Sequence, residues 1–593
     1  MGLSLAFEMM MSNSGSLSWF RARAPGRPPA LGWRVAASRF APEGGALLFF
    51  HFELDTPSGR RYTADGPDGE VLLASQFSGE RQLTVYERVY QTPEWFAGGV
   101  LYQIFPDRFA VGKGGILRAP GTPYNEDWRH GIPEYPAVAG QSYPNDTHFG
   151  GNLYGAAEKL DYLQALGVTA LYLNPVCRAF SNHKYDTGDY LAVDARFGGD
   201  DALRALVREA HARGMRVILD GVFNHVGDDS VYFNRYGRYP SVGAYQSKES
   251  PYAEWFHFTA FPEEYDCWWG MKNLPKLVKC ASLLDFICSR VIPKYMELGV
   301  DGWRLDVVDE LDGESLERIV RAVRAYKPDA LILGEVWEDV SNKTAYGERK
   351  RYFQGRQLDG ATNYPLRNGI LDFILQRESA PLLRTLRTLY RHYPPHCLRQ
   401  MMNVLGTHDT ERVLTVLSGE ELPEDNTALS RFRLSPEGRA RALRRLRCAY
   451  LLLAALPGVP CIYYGDEAGL EGGRDPFNRR PFPWEDADRA LTAFFARVNA
   501  LRREEPLFCA AELAFHPADG ESLLLERRGE SGSLLIAANM GVAPKTLPLP
   551  AYVQNVVDIL SERRYNDNVP LESEQVLLLK NQSCKTDRGS GKT

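Results

Sequence analysis

Between residues 95 and 505, short runs of β-branched and aromatic residues alternate with longer stretches of helical periodicity, as repeated βα units around a parallel sheet would. Eight strand candidates stand out: "VLYQIFP" at 100, "ALYLNP" at 170, "RVILDGVF" at 216, "GWRLDVV" at 302, "LILGEVW" at 331, "GATNYP" at 360, "MMNVLGTHD" at 401 and "PCIYYGDE" at 460. Helical patterns lie between them, among them "AAEKLDYLQALG", "DALRALVREAHARG", "SLLDFICSRVIPKYMELG" and "SLERIVRAVRAY", several closing on a Gly suited to a C-cap. Eight such units predict a (β/α)8 TIM barrel. Two stretches, 107–152 after the first strand and 226–270 after the third, are too long and too rich in Gly, Pro, Asn and Tyr to be simple connections, and the second reads as a small inserted domain.

Outside the barrel the period shortens. Residues 1–94 ("GGALLFFHFEL", "RQLTVYERVY") and 506–580 ("ESLLLERRGESGSLLIAANM") alternate apolar and polar between turn residues, which predicts two flanking antiparallel β domains. The tail, 581–593, is polar and predicted to be disordered.

Length agrees with this division, since 593 residues call for two to four domains. A net charge of −6 leaves no electrostatic footprint for nucleic acid or an anionic membrane. The one arginine-rich stretch, from Gly438, follows Ser435, Pro436 and Glu437 and so reads as a capped amphipathic helix. Nine cysteines without CxxC spacing fit neither a disulfide framework nor a zinc site and point to a reducing compartment, the cytoplasm by default. The first residues carry an early Glu8 and lack a basic start, unlike a signal peptide, and no run is long and apolar enough to span a bilayer.

Chemistry concentrates at the ends of the predicted strands. In "GWRLDV" Gly302, Arg304 and Asp306 share one face, while Trp303, Leu305 and Val307 share the other and suit the helix layer. Arg304 and Asp306 then face into the barrel, Asp306 at the C-terminal end where barrel active sites lie. An arginine beside a carboxylate keeps it ionised, as a carboxylate nucleophile requires, although a structural ion pair would look the same. Asp301, Asp309 and Glu310 read as solvent-facing or loop residues. Other ends add Asp220, Asn224 and His225, then Glu335, then His408 and Asp409. Two carboxyl groups from different strands, one ionised and one protonated, are what glycosidic cleavage needs.

The ordered set "DGVFNH", "GWRLD", "GEVW" and "GTHD" resembles the four sequence regions of the α-amylase family, glycoside hydrolase family 13. "VLYQIFPDRF", "SNHKYDTGDY" and "PCIYYGDEAGLEGG" resemble its neopullulanase, cyclomaltodextrinase and maltogenic amylase subgroup. The resemblance implies Asp306 as nucleophile, Glu335 as general acid and base, and Asp409 as a clamp on substrate hydroxyls. It implies that His225, Arg304 and His408 line the same sugar subsite, that His183 and Tyr185 belong to a segment whose Tyr stacks on that sugar, and that Asp475 and Arg479 hold the next one. The implied substrate is an α-glucan oligosaccharide, such as a cyclodextrin, a maltooligosaccharide or pullulan. An oligo-1,6-glucosidase or a broad α-amylase is the alternative within the family. A non-catalytic sugar-binding relative is the alternative outside catalysis.

Three departures matter. Val278, in "LPKLVK", stands where the subgroup has Asn, and Glu338 stands where it often has His. Relatives bind calcium after "FPDRFA" and at a later "GGDL", whereas this chain has "VGKGG" and Asn152 there, so no metal and no cofactor is expected. The N-terminal domain is short beside the module that, in relatives, packs over a partner subunit's active site. A homodimer is therefore an expectation carried by the resemblance alone.

Overall fold

The computed structural model describes residues 5–13, 16–24, 45–136, 138, 141 and 143–582. Its centre is one parallel sheet of eight strands, labelled here in chain order: β1 (Leu101–Ile104), β2 (Ala170–Leu173), β3 (Arg216–Gly221), β4 (Gly302–Leu305), β5 (Leu331–Gly334), β6 (Gly360–Ala361), β7 (Met402–Val404) and β8 (Val459–Tyr463). Each strand pairs with its neighbours in sequence, β8 pairs with β1, and a parallel bridge from Thr362 to Met402 joins β6 to β7. The sheet is thus a closed (β/α)8 barrel, as the alternation of patterns predicts.

Strand alternation sorts the core into two layers. Leu101, Tyr172, Ile218, Leu331, Leu333, Met402, Val404, Val459 and Cys461 fill the barrel's interior. Tyr102, Ile104, Leu171, Val217, Leu219, Trp303, Leu305 and Ile332 belong to the larger outer core under the helices. On β4, Gly302 is required by space: a Cβ there would lie 2.4 Å from the Leu331 carbonyl oxygen.

Side-chain caps fix where the helices begin. Asp312 accepts the Ser315 amide at the start of Gly313–Tyr326, and Asp488 accepts the Leu491 amide at the start of Arg489–Glu504. The arginine-rich helix, Pro436–Ala455, is capped by Ser435 as its sequence predicts. The pattern "AAEKLDYLQALG" is not one helix, however. Lys159 leaves the helical region (φ −101°, ψ 6°) and divides it into Leu153–Glu158 and Leu160–Ala165.

Antiparallel sheets flank the barrel on both sides in the chain. The N-terminal sheet has strands Ser16–Ala24, Leu5–Asn13, Ala46–Thr56, Gly59–Asp65 and Val71–Ala74 in that order, with Arg81–Val85 also paired to Ala46–Thr56. Gln82 Nε2 donates to Ser341 Oγ at 2.8 Å and Arg391 pairs with Asp65 at 2.9 Å, tying this sheet to the barrel. The C-terminal domain holds a six-stranded sheet between Glu512 and Gln582, and Arg445 of the capped helix reaches its Glu574 at 2.8 Å. Residues 583–593, most of the predicted tail, lie outside the described residues. The eight cysteines among the described residues are free thiols, and no described helix is long and apolar enough to cross a membrane.

Candidate active site

A cleft of ≈ 1820 Å³ opens over the C-terminal rim of the barrel. All three acids named from the sequence line it, with His183, Tyr185, His225, His408, Asp475 and Arg479. Arg304 lies just beneath, 2% exposed.

Arg304 organises the floor. Its Nη1 donates to Asp306 Oδ1 at 2.7 Å and to both oxygens of Asp220 at 3.0 and 3.1 Å, while Nη2 lies 3.0 Å from Glu335 Oε2. One guanidinium therefore serves carboxylates from three strands, which its planar fork of donors can do and an ammonium cannot. Burial, followed by the nearby Glu335 and Asp220, pushes the Asp306 carboxyl up, and Arg304 opposes this. Burial likewise raises Asp220 against the pull of Arg304. One cation facing three carboxylates favours a proton retained within the group.

The chain turns sharply after Asp306. Val307 adopts φ 38° and ψ 51°, the left-handed region that a β-branched residue rarely enters. The sequence places Val307 on the outer face of a strand, and that expectation is corrected here: β4 has ended, and the turn aims the Val307 amide at Glu335 Oε2, 2.9 Å away. Asp301 also differs from expectation, whereas Asp309 and Glu310 lie in the turn after β4, as expected of loop residues. Asp301 is wholly buried below the strand, bound by Arg216, His211 and Lys327. Asp309 and Glu310 line the cleft, paired with Lys343 at 3.1 Å and Lys276 at 2.7 Å.

A second network orients the sugar-facing rings. Tyr185 OH donates to Asp220 Oδ2 at 2.8 Å, and its ring stacks on His408 at 5.1 Å with parallel planes. His408 Nδ1 meets Gln103 Nε2 at 2.9 Å, and Nε2 lies 3.2 Å from Asp409. The turn carrying His183 and Tyr185 is pinned by Lys184, fully buried and 2.8 Å from Asp194. Burial lowers His183 and His408 well below the usual histidine range and lowers His225 to about 3. His225 stacks on Trp268 at 5.0 Å, and its buried Nε2 has no hydrogen-bond partner among the described residues. A neutral imidazole with a spare nitrogen suits a substrate hydroxyl.

Arg479 links the two remaining acids, with Nη1 3.0 Å from Asp475 and Nη2 3.6 Å from Asp409. Burial raises Asp409 and Asp475, and Arg479 draws both down. Beyond this centre the walls are aromatic: Trp268, Trp269, Trp337, Tyr236 and Tyr346. Trp337 stacks on Tyr364 at 3.7 Å and directs its Nε1 to Glu335 Oε1 at 3.3 Å.

The sequence reading gave no role to Asp220, although "DGVFNH" displays it, because its partnership with Arg304 crosses between strands. It missed Trp337 altogether, two residues after Glu335 in "GEVW". Of the departures, Glu338 lines the cleft beside Lys343. Val278 is exposed and lies outside the cleft lining.

The residues at the family's calcium position do not fit a cation. Asn152 Oδ1 caps a helix through the Gly155 amide, and its Nδ2 donates to the carbonyls of Gly115 and Gly150 at 3.4 Å. Asp107, the neighbouring carboxylate, is held by Arg108 at 2.7 Å and by the amides of Phe149 and Gly150. No cluster of three or more His, Cys, Asp or Glu able to hold a metal occurs among the described residues.

A closed barrel bearing three carboxylates on a shared guanidinium, ringed by neutral histidines and aromatic walls, defines the class of barrel glycosidases. The pattern for the alpha amylase catalytic domain matches residues 103–501, and the chain belongs to the alpha-amylase family. It is 36% identical over 464 residues to neopullulanase 2 of Thermoactinomyces vulgaris, covering 74% of this chain and 70% of that protein. It is 35% identical over 547 residues to an amylopullulanase of Thermoanaerobacterium saccharolyticum, covering 84% of this chain and only 41% of that longer protein. Among solved structures, the type III pullulan hydrolase from Thermococcus kodakarensis superposes with TM-score 0.70 at 27% identity, covering 98% of this chain and 95% of that one.

Proposed function

We propose that the chain is a retaining α-glucan hydrolase. Asp306 attacks the anomeric carbon as Glu335 delivers its proton to the departing glycosidic oxygen, leaving a glycosyl ester on Asp306. Glu335, now a carboxylate, takes a proton from water, whose oxygen attacks the same carbon and releases Asp306. The observation that carries this reading is the shared guanidinium: Arg304 contacts Asp306 at 2.7 Å and Glu335 at 3.0 Å. That arrangement favours the close spacing of roughly 5 Å used for direct attack over the roughly 6.5–9.5 Å that admits a water between the acids.

Asp409, held by His408 and Arg479, takes the role of binding sugar hydroxyls and strengthening as positive charge develops on the ring. Tyr185, His183, His225 and Arg304 shape the reacting subsite, and Asp475 with Arg479 holds the next sugar. No calcium enters the chemistry.

The substrates proposed are cyclodextrins, maltooligosaccharides and pullulan, cleaved at α-1,4 and in part α-1,6 bonds. The large cleft, its aromatic walls and the names of the relatives support this class. A homodimer is also proposed, since Val71, Leu72 and Leu73 on the edge strand of the N-terminal sheet are half-exposed apolar residues. Product analysis on β-cyclodextrin, pullulan, soluble starch and isomaltose, with Asp306→Asn as blank, tests the substrate reading. Preference for isomaltose would replace it with an oligo-1,6-glucosidase, and equal rates with the blank would remove catalysis.

A further inference from the structure

A second cavity, ≈ 620 Å³, lies away from the rim and is walled by the loop after β1, the start of helix Pro436–Ala455 and the segment after β8. Trp128, Phe482 and Trp484 give it an aromatic side. Five cations face three carboxylates there: Arg129, Lys159, Arg433, Arg439 and Arg480 against Glu471, Glu485 and Asp486.

The pairing is incomplete. Arg129 is taken by Asp486 at 2.5 Å, and Arg439 lies 3.5 Å from Glu471. Arg480, Arg433 and Lys159 have no carboxylate at ion-pair distance among the described residues. Arg480 is 8% exposed, and among the described residues its guanidinium makes one hydrogen bond, from Nη2 to the Ser430 carbonyl at 2.6 Å. Burial and the neighbouring Arg433 lower it to about 10. Lys159 Nζ sits 4.1 Å from the Trp484 ring centre. A buried guanidinium without a counter-charge is costly unless an anion reaches it. Consecutive residues thus serve different cavities, since Arg479 faces Asp475 and Asp409 in the cleft.

We propose that this cavity is a second binding site, for a small phosphate monoester whose sugar or other flat body rests on the aromatic side. Arg480 and Arg433 supply the forked donors that match phosphate oxygens. Lys159 adds a point charge over the Trp484 ring.

Calorimetric titration at constant ionic strength tests this, with inorganic phosphate, glucose 6-phosphate and glucose as the probes. Glucose 6-phosphate is expected to saturate with Kd of about 1 mM or lower, inorganic phosphate more weakly, and glucose not at all. Arg480→Gln and the exposed Arg433→Ala should each weaken the ester at least about tenfold, the second guarding against misfolding of the first. No saturable signal from either phosphate probe up to about 20 mM would overturn the site, as would binding unchanged in Arg433→Ala. Binding is read without turnover, so it stands or falls separately from the glucan reading.

Discussion

The Val307 amide donates to Glu335 Oε2 at 2.9 Å, from a backbone held at φ 38° immediately after Asp306. The strained turn therefore couples the two acids through one peptide. Asn enters the left-handed region more easily than Val, so Val307→Asn should keep kcat within about threefold and leave stability unchanged or raise it by about 1 kcal/mol. Pro cannot adopt positive φ and has no N–H, so Val307→Pro should lose about 100-fold or more in kcat. Thermal unfolding with initial rates on both variants checks this. Equal activity of the Pro variant would deny the amide any role.

Arg304 is irreplaceable by lysine on geometric grounds. A single ammonium cannot reach Asp220, Asp306 and Glu335 together, as the two Nη atoms do. Arg304→Lys should cost about 100-fold or more in kcat/KM with a folded protein, measured beside circular dichroism.

The role proposed for Asp475, holding a sugar beyond the reacting one, makes its interactions nearly equal in ground and transition states. Asp475→Ala should raise KM for maltooligosaccharides about tenfold while kcat changes little. A kcat loss with unchanged KM would place Asp475 in the chemistry instead.

Glu467 is a buried acid outside the cleft, accepting Tyr102 OH at 2.7 Å and Tyr162 OH at 2.8 Å. Burial raises it from 4.5 to about 7. The folded state thus holds this proton more firmly than the unfolded chain does, so its contribution is full in acid and is lost as pH rises to about 7. Glu467→Gln cannot ionise. Relative to the unaltered protein it should gain on the order of 2–3 kcal/mol between pH 4.5 and 7, read from denaturant unfolding at several pH values. A difference independent of pH would contradict the buried, proton-holding Glu467.

Much of this was legible in the sequence because period and position carry it. Alternation on β4 sends Arg304 and Asp306 inward and Trp303 and Leu305 outward, and the ends of strands in a parallel barrel share one rim. Ser435 with Pro436 announces its helix. What stayed hidden depends on contacts between distant segments or on local conformation. Asp220 matters through Arg304, 84 residues on. Val307 leaves the strand pattern because of a turn that apolar periodicity does not encode. Asp301 looks like a solvent-facing residue until Arg216, Lys327 and His211, from other elements, are seen around it.

The proposed mechanism leaves Asp306 covalently glycosylated. Glu335→Gln should be treated with an α-maltosyl fluoride, whose fluoride leaves without acid assistance, and then digested for mass spectrometry. The account predicts a glycosyl adduct on the peptide bearing Asp306, absent when Asp306→Asn is added to the variant. An adduct on another residue, or turnover with inverted anomeric configuration, would contradict it.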